Sequence, residues 1–251
     1  MRLPRGLEAT PLANEIAPAL IEGLAAIRGG LSRKTFEPAN SRRIFNIGMG
    51  DIAEGIQLPK LFQAFRSSAP HIRLHARQIP GPLLRDALAN GEVDMATGQY
   101  DLGAGVRSQL LSVGEYACVM GANHPKIGTR LSLKQFKAAE HILVVPLGPS
   151  QHRRNIERTL TSRAVNARIA VQITHFHGVL ALITSTDLIA TIPRSLAHSM
   201  ASYAKVKVLP TPIPFPKTRL SLYWHERFHR EPGNVWMRGE YIRLIKKPIP
   251  V

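Results

Sequence analysis

"QLPKLFQAFRSSAPHIRLHARQIPGPLLRDALANGEVDMATG", residues 57–98, switches its apolar period from one segment to the next, and those switches decide the fold. "QLPKLFQAFRSSAP" carries its apolar residues at helical spacing, and "RLHARQI" is an extended run. "PLLRDALANG" returns to helical spacing, and "EVDMATG" reads as a short strand. Strands that alternate with helices are joined by right-handed crossovers and therefore lie in a parallel sheet.

The alternation extends in both directions. "RIFNIGMG" precedes the stretch as a strand, and "QLLSVGEYACVMGANHP" follows it as two strands joined at Gly114-Glu115. A helix near 132–138 comes next, then strand "HILVVPL", helix "SQHRRNIERTLTSR", strand "ARIAVQI", helix "HGVLALITS", strand "DLIATIP", helix "RSLAHSMASY" and strand "VKVLP". The proline-rich run 210–216 separates these from "RLSLYWHERF" and a closing amphipathic helix, "NVWMRGEYIRLI". This layout predicts two α/β lobes. The chain crosses near 118 and returns near 221, so residues 43–117 with 222–251 form one lobe and 118–221 the other.

Ahead of the lobes, residues 1–40 carry one amphipathic helix and a linker, "SRKTFEPANS". Leu12, Ile16, Leu20, Leu24, Ile27 and Leu31 form its apolar stripe, with Thr10 as N-cap and Pro11 at the first helical position. Pro18 kinks the helix or marks a later start, and Gly29-Gly30 weakens its far end. The stripe needs a cover, either a second copy of the chain or the helix's own domain.

Composition narrows the function. The chain has 251 residues, 44% of them hydrophobic, which is ordinary for a globular protein and argues against disorder. The single cysteine, Cys118, excludes an intramolecular disulfide or a cysteine zinc cluster, and a buried, inert thiol is its simplest role. No apolar leader or membrane span is present, so a cytoplasmic location is expected. The formal charge of +16 invites a nucleic-acid reading, but its location matters more. Residues 44–117 carry 6 basic and 7 acidic side chains, whereas 118–221 carry 14 and 3. Those bases are scattered, without aromatic interleaving, which suits a solvated or partner-facing surface better than direct nucleic-acid binding.

Several of these stretches together resemble one family. "LPKLFQAFRSSAPHIRLHARQ", "LANGEVDMATG" and "TSTDLIATIPRSLA" are similar to segments of the regulatory half of LysR-type transcriptional regulators. "HERFHREPGNVWMRGEYI" resembles the subgroup that senses nodulation flavonoids or salicylate-like aromatics. The resemblance runs from about Gly6 to about Ile245. It implies two Rossmann-like lobes with a hinge, a fold like that of periplasmic binding proteins, preceded by one linker helix. It also implies a small-molecule effector, a homodimer or homotetramer, and no cofactor. "RGLEATPLA" resembles the end of a DNA-binding wing and the opening of the linker helix. No recognition helix precedes it, so these residues alone are expected not to read promoter DNA, which would need the winged helix-turn-helix. If two chains pack antiparallel, as the resemblance implies, the near-neutral first lobe faces the basic second lobe of its partner.

Ligands in open α/β lobes sit beyond the carboxyl ends of the strands, at helix N-termini. Gly50-Asp51-Ile52, Gly98-Gln99-Tyr100 and Thr174-His175-Phe176-His177 satisfy that geometry, with Ser150, His152, Pro193 and Arg194 on the rim. Thr174 is placed to cap a helix, and one of the two histidines to face the cleft or to serve the structure alone. Neutral imidazole beside Phe176 suits a phenol. Asp51 would repel a carboxylate unless Arg194 or a helix end compensates, which favours a phenolic ligand. A metal site needs three or more converging ligands, and His141, His152 and His198 are not spaced to supply them, so no metal is expected. No nucleophile, base and orienter converge, so no enzyme is expected either. A free-standing solute-binding protein and a two-lobed enzyme are the competing readings.

Overall fold

A computed structural model describes residues 2–3, 6–7, 9–31, 35–145 and 151–246. The chain divides into two compact units, Met1–Phe36 and Glu37–Val251. In the first, strands β1 (Arg2–Leu3) and β2 (Gly6–Leu7) pair antiparallel ahead of helix α1 (Pro11–Leu31). Thr10 caps α1: its hydroxyl accepts from the Ala13 N–H at 3.2 Å and its carbonyl from the Asn14 N–H. Pro18 lies inside a helix that already runs from Pro11, so the later start does not occur. Leu12, Ile16, Leu20 and Leu24 are all exposed, and Ile21 widens the stripe. The side chains of Ile27 and Leu31 lie outside the described residues.

The second unit contains two five-stranded sheets with one topology used twice. The first sheet has the order β4 (Arg73–Arg77), β3 (Ile44–Gly48), β5 (Met95–Gly98), β12 (Thr218–His225), β6 (Val106–Gly114). The second has β9 (Arg168–Ile173), β8 (Glu140–Val144), β10 (Ile189–Pro193), β7 (Tyr116–Gly121), β11 (Val206–Pro210). In each, the three strands joined through helices are parallel, as the alternation predicts. The fourth strand enters from the other lobe and runs antiparallel to both neighbours.

Those exchanged strands, β7 and β12, mark the crossings. The chain changes sheet at Glu115 and returns through 211–217, a few residues upstream of the crossings expected near 118 and 222. The return strand starts only at Thr218 because prolines 210, 212, 214 and 216 have no N–H to give to a ladder.

Connecting helices follow the apolar spacing. In α3 (Leu58–Ser68) Leu61 and Phe65 are buried one turn apart, and Trp236 of α9 (Pro232–Ile245) packs its ring 5.0 Å from Phe65 and 6.2 Å from Phe45. Helix α5 (Leu133–Ala138) opens with a capping box between Ser132 and Gln135. Strand β7, buried from Tyr116 to Met120, alternates faces: Ala117 and Val119 join one core cluster, Tyr116, Cys118 and Met120 the other. Burial pushes the Cys118 thiol up to about 12, against the opposing pull of the Thr191 hydroxyl beside it.

Arg43 ties the start of the first lobe to its end. Its guanidinium donates to Asp94 and to Glu231, each at 2.7 Å, and Glu231 also accepts from the Gly233 and Asn234 N–H groups as N-cap of α9. Among the described residues no helix is long and apolar enough to cross a membrane.

Candidate functional site between the lobes

Each sheet has its switch point where connections leave a central strand in opposite directions, beside β3 and β5 in one lobe and beside β8 and β10 in the other. The carboxyl ends of β3, β5 and β10 face a cavity of about 820 Å³, well within the range of small-molecule sites.

The sequence-chosen residues divide around it. Gly50, Asp51 and Ile52, at the start of α2 (Asp51–Ile56), line the cavity, as do Gly98, Gln99, Tyr100, Phe176, Pro193 and Arg194. Thr174, His175 and His177 are exposed and do not line it. The reason is topological: they follow β9, an edge strand, and only Phe176 turns inward, into the apolar cluster of the second lobe. Ser150 and the side chain of His152 lie outside the described residues.

Thr174 does not cap α7 (His177–Ser185); its hydroxyl is paired with His175 Nδ1 at 2.8 Å. The helix is capped from the opposite lobe. Asp51 Oδ2 accepts from the N–H groups of Phe176 and His177 at 2.5 and 3.4 Å, and Oδ1 from its own neighbour Ile52 at 3.0 Å. The helix end therefore compensates the Asp51 charge. Arg194 does not: its guanidinium sits 3.0 Å from Glu115 and its backbone N–H donates to the Glu115 carbonyl.

Tyr100 forms an aromatic wall held from behind. The Tyr223 hydroxyl donates to the Tyr100 carbonyl and accepts from its N–H, both at 3.0 Å, while the rings meet edge to face at 5.6 Å. Burial keeps the Tyr100 phenol above its ordinary value, Tyr223 adding to the effect. Gly98 is required by this packing, because a Cβ there would lie 2.4 Å from the Tyr100 ring. Behind the cavity the Tyr241 hydroxyl donates to Gln57, and burial pushes that phenol far above its ordinary value.

Sequence reasoning missed Gln57 between α2 and α3, Lys60 on α3, Gln78 and Ile79 after β4, Ser195 and His198 on α8 (Arg194–Ala201), and the walls made by 111–115 and 217–220. The last two sets flank the crossings, so the two-lobe reading itself contained the signal: the strands that join the lobes must also floor the cleft. With them come Lys60, Lys217, Arg219 and Lys246, none in an ion pair among the described residues. Asp51 and Glu115 are the acidic members of the lining, and both are already engaged. Among the described residues no group of three or more His, Cys, Asp or Glu is placed to hold a metal ion.

A cavity enclosed by the strand ends of two hinged α/β lobes defines a small-molecule-sensing domain. The chain belongs to the LysR family of transcription regulators: the family described as LysR substrate binding domain matches residues 39–240. It is 31% identical over 249 residues to the transcriptional activator NagR of a Ralstonia species, covering 98% of this chain and 82% of that protein. It is 28% identical over 240 residues to the activator NahR of Pseudomonas putida, covering 95% and 79%. A solved structure described as a probable transcriptional regulator from Pseudomonas aeruginosa superimposes with a TM-score of 0.76 at 30% identity, covering 97% of this chain and 81% of that one. The regulatory domain of MexT, a transcriptional activator of the same organism, shares the fold with a TM-score of 0.69, covering 80% of this chain and 99% of that domain. The chain is thus the effector-binding regulatory region of a LysR-type regulator, and these relatives are regulators rather than enzymes.

Proposed function

We propose that the cavity holds a small phenolic or aromatic molecule carrying an acidic group, and that its binding shifts the two lobes toward one closed arrangement. The observation that carries this reading is the lining itself. Tyr100 and Phe176 supply aromatic walls, and Lys60, Lys217, Arg219 and Lys246 supply cationic charge that is in no ion pair among the described residues. A phenolate or carboxylate satisfies both, and the paired Asp51 no longer argues against it. Only a difference in affinity between open and closed forms moves that equilibrium.

In this reading residues 43–117 with 222–251 and residues 118–221 act as the two lobes, and residues 1–40 as the linker. Leu12, Ile16, Leu20 and Leu24, with Ile27 and Leu31, form the seam of a homodimer, or of two such dimers in a tetramer. The protein works in the cytoplasm, and promoter DNA is read by a winged helix-turn-helix where one is joined to this region.

A thermal-shift screen of benzoate, phenol and flavonoids against the whole chain tests the proposal. A ligand at one hundred times its Kd stabilises by about 2.7 kcal/mol, a rise of roughly 5–10 °C for a domain of this size. Tyr100→Ala and Arg219→Ala should each remove most of that rise. A panel that leaves the melting temperature unmoved, or ligands that act equally on both variants, would place the effector elsewhere. Sedimentation of Leu20→Asp should show monomers; an unchanged assembly would remove α1 from the seam.

A further inference from the structure

Helix α7 has no side-chain cap from its own N-cap residue. Phe176, the residue before it, has helical torsions (φ −67, ψ −24) and no side-chain cap bond, so its first N–H groups need an acceptor from elsewhere. Asp51 provides one across 125 residues of sequence and across the cleft. It is the first residue of α2, so its carboxylate lies at two helix N-termini at once, its own and that of α7. Negative charge is favoured at both.

The surroundings strengthen this contact. The Asp51 side chain is only 15% exposed. Ile52 and Ile56, next along α2, pack against the second lobe's apolar cluster, which includes Phe176, Val179 and Met200. An ionised acceptor sheltered by apolar side chains makes a stronger hydrogen bond than one in water. His177 Nδ1 lies 4.0 Å from the same carboxylate.

We propose that Asp51 is an interlobe latch: a positioning residue that joins α2 to the start of α7 before any effector arrives and so sets the width of the cavity. The inference rests on the reading of that cavity as the effector site. It changes what the effector has to do. The anion seat at α7 is filled from within the chain, so an acidic effector is held through the cations of the first lobe, Lys60 and Arg219 among them, and meets the second lobe through its aromatic part. Loss of the latch removes a polar tie between the lobes and leaves their two crossings and the apolar contact of α2, and the open population rises.

Hydrogen exchange of the whole chain without ligand decides it. In Asp51→Ala the amides of Phe176 and His177 should exchange at least ten-fold faster than in wild type. Those of β8 and β10, in the core of the same lobe, should keep their wild-type rates. Asp51→Asn, which retains an acceptor oxygen without the charge, should fall between the two and covers the case in which the alanine variant does not fold. Small-angle scattering should show a larger radius of gyration for both variants. Unchanged exchange at Phe176 and His177 overturns the latch, as does uniform acceleration through the whole second lobe. Because this readout needs no ligand, it stands even if the benzoate and phenol screen fails, and that screen stands even if the latch fails.

Discussion

The two lobes share a strand order and contribute unequally to the site. In the first lobe the ends of β3, β4 and β5, the loop into α3 and the start of β12 all reach the cavity. From the second, among the described residues, come Phe176, Pro193, Arg194, Ser195 and His198. The first lobe supplies polar and cationic groups on several elements. The second presents the apolar cluster on which α2 rests. A topology thus sets where a ligand can go, while the side chains at equivalent strand ends decide which lobe recognises it and which acts as platform.

Two glycines provide the largest test of this division. Gly121, at the end of β7 in the second lobe, has the carbonyl oxygen of Ile183 2.6 Å from where a Cβ would stand, and backbone cannot move aside cheaply. Gly98, in the first lobe, faces instead the ring of Tyr100. Gly121→Ala should cost about 2–3 kcal/mol, in the upper range for overpacking, and leave the ligand preference of the remaining folded protein unchanged. Gly98→Ala, strained by its φ of +157 as well as by the ring, should cost about 2–3 kcal/mol and also abolish most of the ligand-induced rise in melting temperature by displacing the Tyr100 wall. Denaturant midpoints with and without benzoate separate the two. If both variants lost stability and ligand response in the same proportion, the lobes would not divide the work.

Arg43 offers a smaller and pH-dependent test confined to the first lobe. Burial tends to raise the Glu231 pKa, but the Arg43 guanidinium and the Asn234 and Gly233 N–H groups outweigh it and hold the carboxyl below its ordinary value. A carboxylate with a depressed folded-state pKa contributes stability above its unfolded pKa and loses it as pH falls through the folded value. The wild type should therefore weaken below about pH 4.5, near the ordinary carboxylate pKa. Arg43→Ala should be less stable by about 1–2 kcal/mol at neutral pH, discounted from the cost of breaking a fully buried pair because these groups are about one-third exposed. Its acid-side slope should also be shallower. Urea titrations from pH 3 to 7 measure both quantities, and parallel curves for the two proteins would remove Arg43 from the linkage.

The parts of this architecture legible in the sequence were those encoded locally. Helical and alternating spacings located the elements to within a few residues, and the rule that ligands gather at strand ends selected Gly50, Gly98, Tyr100 and Pro193. The same rule also selected His175 and His177, because a strand end looks alike in sequence whether it is central or at the sheet edge. Only the order β10-β8-β9 reveals that theirs is the edge. Lys60, Lys217 and Arg219 carried no local mark, since they reach the cavity through the crossing strands and the packing of α2 and α3. Asp51 was visible as a charge in an unusual place, but its partner 125 residues away was not.

The smallest effect should appear at the first crossing, where the two lobes meet in a single residue. Glu115 and Arg194 are 53% and 45% exposed in their side chains, and an ion pair so open to water contributes about 0–1 kcal/mol. Glu115→Gln should consequently leave the denaturant midpoint almost unchanged. It also frees Arg194, which lines the cavity, to meet an anionic ligand. Benzoate affinity should rise about two- to five-fold, corresponding to roughly 0.4–1 kcal/mol, with no matching change for neutral phenol. Calorimetric titration of the two ligands measures that difference. An equal change for both would mean that Glu115 acts through the geometry of the crossing rather than by holding the Arg194 charge, and the second lobe's part in recognition would reduce to its apolar platform.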